Sequence, residues 1–418
     1  KGGAVEMQPK DNLELLPEPE EPRMLTTIDS DAPGYPGEAY GITDEEAKEL
    51  RWPATPISKI LWPWGAITFA VGTVFLLVVM PYINAYLTPV LPESEWAYKS
   101  TGIRELQDSG LTGEGVRVCM VDTGIDLEHP DFENLSLAAF RDFYEGQHDD
   151  IRDIGEEFHG TMMAGLLVAD GKYYGAAPGV DLSIALALSP AGTSGQEDRV
   201  AQAIRWCRIT QGADIISLSL GSDPGTGMGI QSETVMAVQE ALDAGIFVVA
   251  AAGNTGDDDS IGDVSTPANL EGVIAVGASS RNGNIWSASA EGSPLDPYTG
   301  ENRSYPNQKP EVSAPGVLLF STVSAEISPP YAYSSGTSDS TVLVTGALAL
   351  ILELHGEALA GDDGSFDSTE MAIVKRTLAS SCDKQATGAS PHDPKGGYGL
   401  LDAVQWASEI AYELNLDV

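Results

Sequence analysis

The chain has 418 residues, 42% of them hydrophobic, enough to bury one large α/β domain with segments to spare. Its 62 acidic residues against 22 basic ones give a formal charge of −40 at pH 7, a field that repels phosphate backbones and excludes nucleic acid as a partner class. The same excess of carboxylates suits a surface kept hydrated in concentrated salt, so a halophilic source is one expectation.

Residues 1–58 form an acidic tail punctuated by proline. Its Pro17-Glu-Pro-Glu-Glu-Pro22 stretch fits neither a helix interior nor a sheet interior. The tail is expected to be extended by itself, to lie in the cytoplasm and to be held by other membrane-protein subunits. Residues 59–91 are expected to be a transmembrane helix. No charged residue occurs from Ile60 to Leu91, and the stretch from Trp64 to Met80 is almost wholly apolar. A bilayer core about 30 Å thick needs roughly 20 helical residues. Trp62 and Trp64 at one end, with Tyr82, Tyr86 and Trp96 near the other, form an aromatic belt. Pro81, Pro89 and Pro92 are expected to shape the end of the span. Lys48, Arg51 and Lys59 precede the span, and Glu93 and Glu95 follow it. That bias predicts a single pass through the cell membrane, with a cytoplasmic N-terminus and an extracytoplasmic C-terminal domain. Residues 92–111 read as a linker and one leading helix.

From 112 to 418 the pattern changes to apolar runs separated by amphipathic ones. Residues 116–121, 182–188, 215–220, 246–251 and 273–276 are predicted buried strands; 199–208, 233–244 and 341–355 are predicted helices. Strands alternating with helices imply an α/β fold whose central sheet is mostly parallel, with right-handed crossovers. Cys119 sits in an apolar run and reads as a small core residue; with Cys207 and Cys382 it makes an odd count, which argues against a disulfide scaffold.

Three motifs fall at boundaries between these elements. Val121-Asp122-Thr123-Gly124-Ile125-Asp126 ends the first strand, where a carboxylate can accept an imidazole N–H and fix its tautomer. His159-Gly160-Thr161-Met162-Met163-Ala164-Gly165 opens a helix, with small neighbours that allow close approach. Gly336-Thr337-Ser338 leads into another, where backbone N–H groups surround the hydroxyl and can steady an oxyanion. Taken singly, each has a plainer reading: a turn aspartate, an ordinary histidine, an N-cap serine. The order Asp, His, Ser differs from that of α/β-hydrolases and of chymotrypsin-like enzymes, and no Gly-x-Ser-x-Gly elbow is present.

From about Thr112 onward the chain resembles the subtilisin-like serine proteases. The catalytic-Asp segment around Asp122 with His129-Pro130-Asp131, the catalytic-His segment His159-Gly160-Thr161, Gly175-Ala-Ala-Pro178-Gly179, Ser217-Leu-Ser-Leu-Gly221, Ala251-Ala252-Gly253-Asn254, Ala314-Pro315-Gly316, Gly336-Thr337-Ser338 and Gly397-Tyr-Gly-Leu-Leu-Asp-Ala403 carry the likeness. The resemblance implies a three-layer α/β/α domain over 112–418 and an endopeptidase acting on polypeptide substrates. Ser338 is then the nucleophile, His159 the base, Asp122 its orienting carboxylate and Asn254 the oxyanion donor. Ser217, Leu218, Ser219, Leu220, Gly221 and Gly253 would bind extended substrate. No cofactor is required. Members of the family often bind Ca²⁺, for which Asp257, Asp258 and Asp259 are weak candidates, beside a second acidic group at Asp362, Asp363 and Asp367. Residues 1–98 do not read as the folded inhibitory propeptide of the family.

Two departures bear on the site. Asp339 stands beside the nucleophile where Met is usual, and its charge would oppose a developing oxyanion unless it faces solvent or a cation. Phe158 stands where Gly is usual before the histidine and is expected to crowd substrate access. Together with the proline-rich tail and the lack of a segment that reads as a propeptide, they motivate a second reading: a catalytically weak or inactive subunit that serves as a binding or structural component of a membrane complex.

Overall fold

The computed structural model describes residues 64–87, 93–145, 150–192, 197–223, 232–258, 262–361, 364–384 and 391–416. The tail 1–58 and the expectation that other subunits hold it, together with Asp259, Asp362 and Asp363, lie outside the described residues. The chain divides into two compact units, Lys1–Val90 and Leu91–Val418.

The first unit contains helix α1 (Gly65–Leu87). It has no acidic first turn and no basic last turn, and its described apolar side chains face outward, Phe69 at 78% and Leu77 at 70% exposure. The 23 residues span roughly 34 Å at the usual helical rise of about 1.5 Å.

The second unit opens with two short helices, α2 (Glu95–Ser100) and α3 (Ile103–Asp108), where one was expected. Seven strands then build one sheet: β1 (Arg117–Asp122), β2 (Ala139–Asp142), β3 (Asp181–Leu186), β4 (Ile215–Leu218), β5 (Phe247–Ala251), β6 (Ile274–Ser279) and β7 (Val312–Pro315). Their order across the sheet is β2-β3-β1-β4-β5-β6-β7, and every pairing is parallel. β4, β5 and β6 are buried at every residue, so both faces of the sheet are covered, as an apolar run without alternation requires. Helix α4 (His159–Val168) leads from β2 towards β3. Helices α5 (Glu197–Trp206) and α6 (Glu233–Asp243) pack on each other, α5 also against β1 and α6 against β5. Helix α7 (Thr337–Ala360) runs across β4 to β7. By length and composition α7 could cross a membrane, but every side chain from Thr337 to Leu352 except Ser338 is buried in this domain. A hairpin, β8 (Val317–Thr322) with β9 (Tyr331–Ser335), lies just before α7; helices α8 (Ser368–Ser381) and α9 (Ala403–Glu413) close the chain.

The strand order reverses direction at β1, whose neighbours are β3 on one side and β4 on the other. A crevice forms beyond the carboxyl ends of parallel strands at such a point, and Asp122 is the last residue of β1.

One expectation is corrected. Cys119 is a core residue, but it also forms a disulfide with Cys207, 88 positions away, while Cys382 is the free thiol and is buried. The odd count required only that one cysteine stay unpaired; the pairing follows from α5, which packs on β1 and ends at Trp206 in a π turn, Cys207–Gln211. Replacing both cysteines by alanine is expected to lower stability by about 2–4 kcal/mol, the usual contribution of a bridge that closes a long loop. A drop in the urea midpoint reads this out, and an unchanged midpoint contradicts it.

Candidate active site

The motif residues come together where the sheet order reverses. Asp122 is 1% exposed, and its Oδ1 accepts hydrogen bonds from the Thr123 backbone N–H at 2.7 Å and from His159 Nδ1 at 2.7 Å. Its Oδ2 is buried without a hydrogen-bond partner. That leaves His159 as the group best placed to balance the carboxylate, and fixes the imidazole with Nε2 available on its other side. Burial works to lower the His159 pKa. The Asp122 carboxylate, by charge and by hydrogen bond, with Asp339 and Asp153 behind it, outweighs that and raises it to about 9.

The pairing depends on a close approach of two segments. A Cβ on Gly160 would stand 2.1 Å from the carbonyl oxygen of Gly124, so only glycine lets α4 reach the turn after β1. Gly124 itself has φ of +118°. Asp153 then ties the two segments together. Its Oδ1 accepts from Thr123 Oγ1 at 2.7 Å and from the Gly155 N–H at 2.8 Å. Its Oδ2 accepts from the Thr161 N–H at 2.8 Å and from Thr161 Oγ1 at 2.6 Å. Thr123 Oγ1 in turn accepts from the Gly160 N–H at 2.9 Å. Asp153 therefore serves as the N-terminal acceptor of α4 and holds the strand end that carries Asp122. The motif reading missed it because it stands six residues ahead of His159, within a loop that carries no pattern of its own; a short acidic side chain just before a helix was the available signal.

Ser338 is the second residue of α7. Its hydroxyl donates to the Ser219 carbonyl at 3.2 Å, and Ser219 Oγ donates to the Ser338 carbonyl at 3.3 Å. Asn254 follows β5, and its Oδ1 accepts from both the N–H and the Oγ1 of Thr337, at 3.0 and 2.9 Å. With the oxygen so used, the amide Nδ2 is left to donate elsewhere. His159, Ser338 and Asn254 line one cleft of about 400 Å³, together with Ser219, Leu220, Gly221 and Gly253. Glu156 and Glu157, which the motif reading did not single out, line it too. A larger cavity of about 820 Å³, lined by Trp96, Arg281, Leu318 and Tyr333 among others, contains none of the three motif side chains.

Three expectations need adjustment. Ser217 and Leu218 do not reach the cleft: β4 ends at Leu218, Leu218 is fully buried in the core, and Ser217 Oγ accepts from Thr345 Oγ1 at 3.0 Å. Only the residues after the strand end can face outward. Phe158 does not crowd the cleft; it has φ of 54°, and its ring packs against the hydrophobic core. Asp339 does not face solvent; it is 2% exposed, its Oδ1 accepts from Ser334 Oγ, and the positive charge that bears on it is that of His159. Asp257 and Asp258 are exposed beside a turn; among the described residues, which do not include Asp259, no three His, Cys, Asp or Glu side chains converge.

The model of the Subtilase family matches residues 113–399. Subtilisin E of Bacillus subtilis is 35% identical over 253 residues, 60% of this chain and 58% of its own length. An intracellular serine protease of Paenibacillus polymyxa is 34% identical over 306 residues, 71% of this chain and 82% of its own. A thermostable alkaline protease of Halalkalibacterium halodurans is 35% identical over 259 residues, 61% and 62% of the two chains. The chain thus spans little more than half the length of Subtilisin E.

Proposed function

The chain belongs to the subtilase family, and from that membership we propose that it is a membrane-anchored serine endopeptidase cleaving extracytoplasmic polypeptides. The observation that carries the proposal is the 2.7 Å hydrogen bond between Asp122 and His159 on the wall of the cleft that also holds Ser338 and Asn254. Ser338 Oγ attacks the scissile carbonyl carbon, and its proton passes to His159 Nε2. Asp122 stabilises the imidazolium that results. The oxyanion is held by Asn254 Nδ2 and the Ser338 N–H, at the positive end of α7. Collapse expels the amine, which takes the proton from His159, and water then hydrolyses the acyl-enzyme by the reverse sequence. In the resting state the Ser338 hydroxyl rests on Ser219, so a rotation about its Cα–Cβ bond must precede attack. Ser219, Leu220, Gly221 and Gly253 line the wall on which extended substrate would add as a strand.

The membrane reading is supported by the length and outward apolar side chains of α1. The Cys119–Cys207 disulfide supports an oxidising compartment for the domain after the span, in agreement with the basic residues that precede α1. The charge of −40 supports work in concentrated salt. The alternative of a non-catalytic subunit keeps the support of Asp339, of the proline-rich tail and of the absence of a segment that reads as a propeptide, and loses that of Phe158, which packs against the core. The detergent-solubilised full chain should hydrolyse an unfolded protein substrate, and its Ser338→Ala variant should not. Alkaline carbonate should leave the chain in the membrane pellet. Equal inactivity of the two proteins contradicts the protease, and release into the supernatant contradicts the anchor.

A further inference from the structure

Asp339 follows the nucleophile directly in the chain, and the mechanism above does not use its carboxylate. Three features of its setting matter. It is buried in the first turn of α7, where the helix end favours negative charge. One oxygen accepts the Ser334 hydroxyl of β9. The other lies beside Gly336, the residue that precedes the nucleophile's turn: a Cβ built there would stand 3.4 Å from Asp339 Oδ2 and 3.4 Å from Asn254 Nδ2. A carboxylate oxygen and the amide assigned to the oxyanion therefore flank the same point. The groups that bear on Asp339 come from several elements: the His159 imidazole from α4, the Ser334 hydroxyl from β9, the Tyr98 phenol from α2 and the Asn254 amide after β5. Among the described residues, the cation that bears on it is protonated His159.

Resting on the protease reading, we propose that Asp339 is an electrostatic brake on the triad: its carboxylate retains the proton on His159 and opposes charge on the oxyanion, so that turnover is faster once Asp339 is neutral. The two effects act in the same direction. An ionised Asp339 stabilises the imidazolium, which cannot accept the Ser338 proton. It also places negative charge beside Asn254 Nδ2, where the transition state develops its own. Burial pushes Asp339 up to about 7, against the pull of the Ser334 hydroxyl and His159, while His159 lies at about 9. Between these values both groups carry charge, Asp339 negative and His159 positive. The neutral imidazole that attack needs accumulates only as pH rises towards the upper value.

The test is kcat/KM against pH for the full chain in detergent, with Asp339→Asn, Asp339→Ser and Asp339→Glu beside the wild type. Asn keeps the shape and the acceptor for Ser334 without the charge. Ser removes the charge by a different route, should Asn fold poorly; Glu keeps it. Asn and Ser are expected to move the acid limb down and so to raise kcat/KM on that limb, where a limb one pH unit lower means a rise of about tenfold. Glu is expected to keep the limb near that of the wild type. A residue with only a structural role would lower the rate without moving the limb. Turnover with the limb unmoved in both Asn and Ser overturns the brake and leaves the protease standing. No turnover by any of the four proteins at any pH overturns the protease reading itself.

Discussion

His159→Ala is expected to lower kcat by about 10⁶-fold with KM nearly unchanged, the magnitude known for subtilisins. The geometry gives the reason. The Ser338 hydroxyl has the Ser219 carbonyl as its partner, and a peptide carbonyl cannot take up its proton. Asp122 is buried behind the imidazole and is turned to Nδ1, so it does not substitute for the missing base. The wall proposed for substrate, Ser219–Gly221, is separate from the ring in the chain, which is why ground-state binding is expected to survive. What remains, about 10³–10⁴-fold over water, is the share of the oxyanion donors and of binding. Steady-state kinetics on a peptide substrate check this, and a loss smaller than about a hundredfold would mean that another group serves as base.

Asn254→Ala is expected to cost about 10²–10³-fold in kcat, again with little change in KM, which is the usual effect of deleting a side-chain oxyanion donor in subtilisins. The side chain does two things. Its oxygen fixes Thr337, the residue before the nucleophile, through the backbone N–H and Oγ1. Its Nδ2 is thereby presented away from that anchor. Alanine removes both functions, so a second variant separates them. Asn254→Asp keeps an acceptor for Thr337 but replaces the donor by negative charge, and is expected to be slower still than the alanine variant. If the Asn254→Asp protein matched the wild type, the donor role would be wrong and the anchoring of Thr337 would be the whole effect.

The elements that position the chemistry were legible because each is local. Residues 116–121 form an apolar run that could only be a covered strand, and its last residue, Asp122, marks the strand end within one position. Gly336-Thr337-Ser338 precedes a long apolar helix; α7 begins earlier than the apolar pattern suggested, at Thr337, because the first turn is polar. Within the seven-stranded sheet, the two strands that escaped notice are the ones whose pairing is remote. β2 is four residues long and only half covered at the sheet edge, and β7 ends in Pro315 after a run too short to show a period. Their stability comes from β3 and β6, not from their own composition. The same holds for the Cys119–Cys207 bridge, whose partners meet only when α5 lies on β1. In the site, residue types were readable but directions were not. Whether Asp339 faced water or the core, whether Phe158 filled the cleft, and that Asp153 clasps both Thr123 and Thr161 depend on backbone paths that no spacing encodes.

That the three motif side chains work as one nucleophilic unit is tested most directly by a fluorophosphonate probe, which forms a stable adduct only with a serine activated by a neighbouring base. Incubated with the solubilised full chain and followed by peptide mapping, the probe is expected to add at Ser338, and to add nowhere in Ser338→Ala or His159→Ala. An unlabelled wild-type chain over the whole pH range, or a label at Ser338 that persists at full rate without His159, would contradict it.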